Sequence, residues 1–317
     1  MRSLPIITPH YQQLEKQYEQ WLKTLGYSKS TITNYPSCIR ELFHYLEHLS
    51  AGRHGGGITT LQAITADHIT AFFLHRKTRK NHRYGGGVSS SHINNGRLAL
   101  HKFVRFLKVT GQHTIEIDLG PVSVKNNPRV ILTKAEIRML YEATYHHHRQ
   151  GHGAMGQRDR AILAIFYGCG LRSNEGVQLD VSDILTDKHL VYVHKGKANK
   201  ERYVPIATTN MQDIKEYLQY GRKWFLNDHS KSHTDHHALF LSTKRIRIRQ
   251  GGLFCRVRRM AQEAGIGKPV GLHTFRHSIA THLLQNGMDI EQIARFLGHS
   301  TLESTQIYTH IVNELQQ

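Results

Sequence analysis

Residues 11–110 repeat one apolar pattern. Leu14, Tyr18, Trp21, Leu22 and Leu25 recur at three- and four-residue steps, and Ile32, Tyr35, Ile39, Leu42, Phe43 and Leu46 do so again after the polar turn GYSKST. A 3.6-residue period places each set on one face of an amphipathic helix. A third helix begins at Thr65, a side-chain cap ahead of Ile69, Phe72 and Phe73, and a fourth carries Ile93, Leu100, Phe103 and Leu107. AGRHGGG and RKNHRYGGGVSSS are Gly-rich connections between them. Residues 1–117 therefore predict an all-helical bundle. GPVSVKNNPRV, with one Gly, two Pro and no period, predicts an extended interdomain linker over residues 118–130.

From residue 131 the pattern is mixed. LTKAEIRML opens with a capping box, Thr133 to Glu136, and RDRAILAIFYGCG (158–170) is a helix stopped by Gly168 and Gly170. HLVYVHKG and ERYVPI (189–206) alternate in period two around KANK and predict a β-hairpin, to which ALFLST (238–243) adds a strand. Four helical segments follow: GLFCRVRRMAQEAG, LHTFRHSIATHLLQNG, DIEQIARFLG and TLESTQIYTHIVNEL. The fold class is mainly α, a helical bundle followed by a mostly helical domain over residues 131–317 with a small antiparallel β-sheet.

Charge narrows the partner. The chain has 42 Lys and Arg against 24 Asp and Glu, a net +18 among 317 residues, which points to a polyanion and first to nucleic acid. Residues 1–117 hold 15 basic and 6 acidic side chains, a net +9, and the remainder holds the other +9. Equal excess on both parts suggests a clamp that touches the polyanion with both. Cys38, Cys169 and Cys255 are isolated, so neither a disulfide framework nor a cysteine zinc site is suggested, and a reducing cytoplasm fits. No apolar run is long enough to cross a bilayer. YHHHRQGHG (145–153) and HSKSHTDHH (229–237) lack metal-site spacing and read as solvated loops.

The chemistry-bearing residues gather in the second domain. Arg172 follows a helix break, Lys195, Lys197 and Lys200 sit at the hairpin turn, and His273 and Arg276 stand one helical turn apart, where both reach one anionic group. His299 and Tyr308 complete the set. Two arginines converging on phosphate supply bidentate, permanent positive charge for a phosphoryl centre that gains charge. Taken singly, each has a plain structural reading: a surface ion pair for Arg172, a solvated hairpin lysine, core packing for Tyr308.

As an ordered set they resemble the tyrosine recombinases, the phage integrase and Xer group, over nearly the whole chain. GCGLRSNE (168–175) is similar to the family's first arginine box, KGKANKERYVP (195–205) to its lysine hairpin, HTFRHSIATHLL (273–284) to its His-x-x-Arg box, and LGHSTLESTQIYTH (297–310) to its final His and nucleophilic Tyr. SKSTITNY in the first domain resembles the family's helical, SAM-like core-binding domain, and Lys29, Ser30, Thr31 and Asn34 stand at a helix start that suits a phosphate.

The resemblance implies that Arg172, Arg276 and His299 hold a scissile phosphate, that Tyr308 is the nucleophile, and that His273 is its acid/base. Lys197, ahead of the second Lys of GKANKER, would protonate the leaving 5′-oxygen. Glu175 orients Arg172 or is a surface carboxylate, and KRIRIRQ (244–250) faces the DNA backbone or is an exposed basic loop. Gly176 departs from the family, which commonly has an apolar residue there, and the nine residues after Tyr308 are few for a long exchange helix.

The function so implied is a site-specific DNA recombinase, an element-borne or Xer-like enzyme that works through a 3′-phosphotyrosyl intermediate and a Holliday junction. It implies no cofactor and no metal. The partners are duplex DNA with paired half-sites and three further copies, or a related recombinase, in a tetramer; the location is the cytoplasm, at the nucleoid. A relaxing enzyme of the type IB topoisomerase class, or a DNA-binding regulator that retains the fold, are the competing readings.

Overall fold

The computed structural model describes residues 4–49, 57–78, 88–115, 129–149, 153–194, 201–226 and 235–298. They form two units divided between residues 127 and 128.

Among the described residues the first unit holds four α-helices, α1 (Pro9–Thr24), α2 (Lys29–Glu47), α3 (Ala66–Thr78) and α4 (Ser90–Val109), with a short 3-10 turn at Leu61–Ala63. Ser28 Oγ accepts the Thr31 N–H at 3.2 Å and Ser89 Oγ the His92 N–H at 3.3 Å, so two helix starts have side-chain caps. The predicted apolar faces meet in one core of Leu14, Tyr18, Leu22, Ile39, Phe43, Phe72, Ile93, Leu100 and Phe103. Tyr11 stacks on Phe43 with ring centroids 4.0 Å apart, and the buried Tyr18 hydroxyl donates to the Ala99 carbonyl at 3.0 Å. Leu25, predicted on the α1 face, is instead exposed. It stands just past the helix, where the chain turns through Gly26 at φ +69°. Arg76 is fully buried and pairs with Glu41 at 3.2 Å; Gly96 on α4 leaves room for its guanidinium.

The predicted linker 118–130 lies outside the described residues except for Arg129 and Val130. The chain enters the second unit pinned to a later helix: the Leu132 N–H donates to the buried Ser278 Oγ at 2.9 Å. Thr133 and Glu136 form the capping box, with N–H to oxygen distances of 2.7 and 3.1 Å. α5 (Lys134–Arg149) then runs through His146–His148, where the sequence predicts a loop. No Gly or Pro interrupts YEATYHHHR, so nothing stops the helix there. α6 (Gly153–Leu163) starts ahead of the predicted Arg158 and passes into a π-turn at Ala164–Gly168. After α7 (Ser173–Gln178) comes an antiparallel sheet, β1 (Ile184–Leu185), β2 (Leu190–Val193) and β3 (Arg202–Pro205), in the order β1-β2-β3. The hairpin register pairs Val193 with Arg202 and Leu190 with Pro205.

Residues 238–243 are not a strand of that sheet, contrary to expectation. Ala238, Leu239, Phe240 and Leu241 are buried, but arginine side chains take carbonyls that a ladder would use: Arg222 donates to Ala238 and Arg158 to Leu241, at 2.9 and 2.8 Å. Helices α8 (Thr208–Glu216) and α9 (Arg222–Leu226) flank a second π-turn, Tyr217–Gly221. Three of the four predicted late helices are α10 (Gln250–Glu263), α11 (Leu272–Gln285) and α12 (Ile290–Leu297); the fourth, TLESTQIYTHIVNEL, lies outside the described residues. The core gathers Ile162, Phe166, Leu171, Val191, Val204, Ile214, Phe240, Leu253 and Phe275, all essentially inaccessible.

Candidate active site

The site starts where α6 ends. Gly170 takes φ +61°, and a Cβ on it would lie 2.8 Å from Leu297 Cδ2, so a glycine is required both by the backbone and by the approach of α12. This turn delivers Arg172 at the N-cap of α7. Glu175, at the third position of that helix, accepts the Arg172 N–H at 2.9 Å and its Nη1 at 2.8 Å. Arg172 Nη2 reaches further, to the Gly298 carbonyl at 2.8 Å.

Arg276 arrives from a separate element. It sits on the second turn of α11, 4% exposed, and its Nη1 donates to the Gly170 carbonyl at 2.6 Å while its Nη2 donates to Leu297 at 2.7 Å. The two arginines thus converge on consecutive carbonyls at the C-terminus of α12. The negative end of the helix dipole and its unsatisfied carbonyls favour cations there.

His273 lies one turn before Arg276 on α11 and borders a cleft of about 780 Å³ that is also lined by Phe254 and Arg258 of α10 and by Ser173. Partial burial, then the charges of Arg276 and Arg172, lower its pKa from the ordinary histidine value, so the ring is neutral and able to accept a proton near pH 7. His277, given no chemistry by the sequence, is pushed down to about 4 by burial and by Arg129, His273 and Arg276. The Ser173 hydroxyl is buried and has no hydrogen-bond partner among the described residues.

Glu175 is a buried anion with two cations on it. Burial raises its pKa, but Arg202 and Arg172 outweigh this and hold the carboxyl at about 2. Arg202 donates Nη1 to Oε1 at 3.0 Å and Nη2 to Oε2 at 2.8 Å. Arg202 is a site residue outside the sequence-predicted set. Its only sequence signal is its place in the lysine hairpin, because its partner is 27 positions away. Of the two readings left open for Glu175, the buried partner of Arg172 is the one observed.

Gly176 departs from the family pattern for a visible reason. Phe166 from the π-turn occupies the space: a Cβ on Gly176 would lie 2.5 Å from its Cε1. KRIRIRQ is divided: Lys244, Ile246, Arg249 and Gln250 are exposed, whereas Arg245 and Arg247 turn inward. Arg245 is buried at φ +66° and donates to the Phe225 and Leu226 carbonyls, and Arg247 donates to Leu179 at 2.8 Å and pairs with Asp180. Those two arginines fasten residues 238–248 and are not a phosphate-facing row. In the first unit, Lys29, Ser30, Thr31 and Asn34 do occupy the first turns of α2, with Asn34 donating to Ser30 at 3.0 Å.

Arg172, His273 and Arg276 are therefore brought together, whereas Lys195, Lys197, Lys200, His299 and Tyr308 lie outside the described residues. Gly298, the last described residue, is the one immediately before His299. Among the described residues no group of His, Cys, Asp or Glu could hold a metal ion, and no helix is long and apolar enough to cross a membrane.

The phage integrase family model matches residues 131–314, and that of the phage integrase N-terminal SAM-like domain matches residues 16–111. The chain is 31% identical to tyrosine recombinase XerD of Bifidobacterium longum over 301 residues, 91% of this chain and 89% of that protein. It is 30% identical to tyrosine recombinase XerC of Herpetosiphon aurantiacus over 311 residues, 95% and 92% of the two chains. Two solved structures share the fold: the XerH recombinase bound to its difH substrate, with TM-score 0.70 and 23% identity over 96% of this chain and 83% of that one, and a lambda integrase dimer bound to a COC′ core site, with TM-score 0.66 and 18% identity over 95% and 77%. Paired arginines on a shared helix end, the order of the boxes and the match along both units lead to one assignment: the chain belongs to the phage integrase family of tyrosine recombinases.

Proposed function

We propose that this site-specific recombinase cuts and rejoins duplex DNA with Tyr308 as nucleophile and with Arg172, Arg276 and His299 on the scissile phosphate. The observation that carries the reading is the convergence of Arg172 and Arg276 at Leu297 and Gly298, which sets two guanidiniums beside the segment leading to His299. Each guanidinium has five N–H donors, so holding a carbonyl does not preclude holding a phosphate oxygen.

The Tyr308 oxygen attacks phosphorus as the bond to the 5′-oxygen breaks, leaving a 3′-phosphotyrosyl link. The phenol, with an ordinary pKa near 10, gives its proton to neutral His273. Lys197 delivers a proton to the departing 5′-oxygen. The arginines stabilise charge that grows on the non-bridging oxygens, an electrostatic contribution that in other enzymes is worth about 100- to 1,000-fold per donor. Attack by a 5′-hydroxyl from a second duplex reverses these steps and joins the strands. The bond energy is conserved in the phosphotyrosyl ester, and neither metal nor nucleotide is required by the scheme.

Residues 1–117 serve as the core-binding domain and 131–317 as the catalytic domain. The first turn of α2 offers exposed polar groups for the DNA backbone, and the net +9 on each part supports contact through both. Four copies on paired half-sites, exchanging strands through a Holliday junction at the nucleoid, complete the proposal.

Half-sites selected from a random duplex pool, rebuilt with a nick beside the crossover point, test it. A trapped covalent protein–DNA adduct that is lost in Tyr308→Phe supports the reading. No adduct on any selected site sinks it, and relaxation of supercoiled plasmid lacking such sites favours the topoisomerase alternative.

A further inference from the structure

We propose that Arg202 is a positioning residue for cleavage, tying the lysine hairpin, the first arginine box and the segment before His299 into one unit. The inference rests on the recombinase reading above.

Three observations carry it. Arg202 opens β3, the strand that follows the KGKANK segment carrying Lys197 in the sequence. Its guanidinium meets Glu175 fork to fork, at 3.0 and 2.8 Å, while the same two carboxylate oxygens receive Arg172 Nη1 at 2.8 Å and the Arg172 N–H at 2.9 Å. One buried carboxylate therefore fixes two arginines from segments that have no local reason to meet. The third is the space beside Gly298, which the Arg202 side chain fills: a Cβ on that residue would lie 2.7 Å from Arg202 Nε and 2.9 Å from its Cδ and Cζ. Gly298 has φ +65°, accepts Arg172 Nη2 through its carbonyl and precedes His299.

The geometry makes Arg202 more than a counter-ion. A lysine would neutralise Glu175, but a point charge cannot hold both carboxylate oxygens in one plane. Without the fork the carboxylate keeps only its two bonds from Arg172, on the backbone N–H and Nη1, and the pair is held from one side instead of two. Glu175 would also lose its largest cationic support, and its carboxyl would then titrate closer to the ordinary range.

The test uses the full-length chain on the nicked duplex described above, with Arg202→Met, which keeps an apolar stem, and Arg202→Lys, which keeps the charge. Both are expected to bind the duplex within about threefold of wild type and to form the Tyr308 adduct at least about tenfold more slowly at saturating DNA, with Lys recovering only part of the loss. The acid limb of the cleavage rate should move to higher pH in Arg202→Met. A purely structural role predicts less folded protein but the same rate per bound enzyme and the same acid limb. Rates and limbs equal to wild type in the folded variants overturn the inference. Should Arg202→Met not fold, an unchanged rate in Arg202→Lys overturns it alone. Absence of any adduct from the wild-type chain instead refutes the recombinase reading on which this rests.

Discussion

Arg276 and Arg172 donate to adjacent carbonyls, Leu297 at 2.7 Å and Gly298 at 2.8 Å, so two guanidiniums from separate parts of the chain close on the C-terminus of α12. Their surroundings differ. Arg276 is buried between Gly170 and Leu297, whereas Arg172 is partly exposed and leans on Glu175.

That difference separates their lysine variants. Arg276→Lys should lower both the adduct rate, by roughly 100-fold or more, and the stability, by roughly 1.5–3 kcal/mol as buried carbonyls lose a charged donor. Arg172→Lys should lower the rate as strongly with a smaller loss of stability. Urea unfolding beside single-turnover cleavage measures the two effects; equal stability losses would contradict the assignment.

Gly176 is a steric requirement set by Phe166. Gly176→Ala should destabilise the second unit by about 1–3 kcal/mol through overpacking, because the Phe166 ring is wholly buried and has nowhere to shift. Combining it with Phe166→Leu should recover part of the loss. A double-mutant cycle on unfolding midpoints reads the coupling, and strict additivity would show that the two positions are independent.

His277 makes stability depend on pH. Its folded pKa is about 4, below the roughly 6.5 of an unfolded histidine, so between these values the unfolded chain takes up a proton that the folded protein refuses. Stability should therefore be complete above pH 6.5 and fall by on the order of 1 kcal/mol by pH 5. His277→Asn should flatten that part of the urea-midpoint profile; an unchanged slope would place the effect elsewhere.

Basic charge spread over both parts of the chain predicts salt-sensitive binding. If both contact phosphates, the logarithm of the association constant should fall against log salt with a slope of roughly −5 or steeper between about 50 and 200 mM. Fluorescence anisotropy on a selected half-site duplex measures it. A slope near −1 would leave only one or two phosphates neutralised and refute the clamp.

The helical periodicity of α1, α2 and α4, the Thr133–Glu136 box and the 190–205 hairpin were legible in the sequence because each is written in neighbours three, four or two positions apart. The boxes carrying Arg172, His273 and Arg276 were legible too, as ordered short segments. Nothing local announced that Arg245 and Arg247 fold inward: alternating arginines look alike whether they meet phosphate or backbone carbonyls. The run 238–243 looked like a strand for the same reason, since apolar composition reports burial and not which group satisfies the carbonyls.

The chain order alone determined the two-part organisation, the charge and the set of chemical groups. Tertiary structure decided which of those groups act together: that Arg202 shares a carboxylate with Arg172 across 27 positions, that Phe166 stands in for a side chain at Gly176, and that α12 ends between two guanidiniums. Such pairings depend on where packed elements cross, and packing complementarity between distant segments leaves no periodic trace in the sequence.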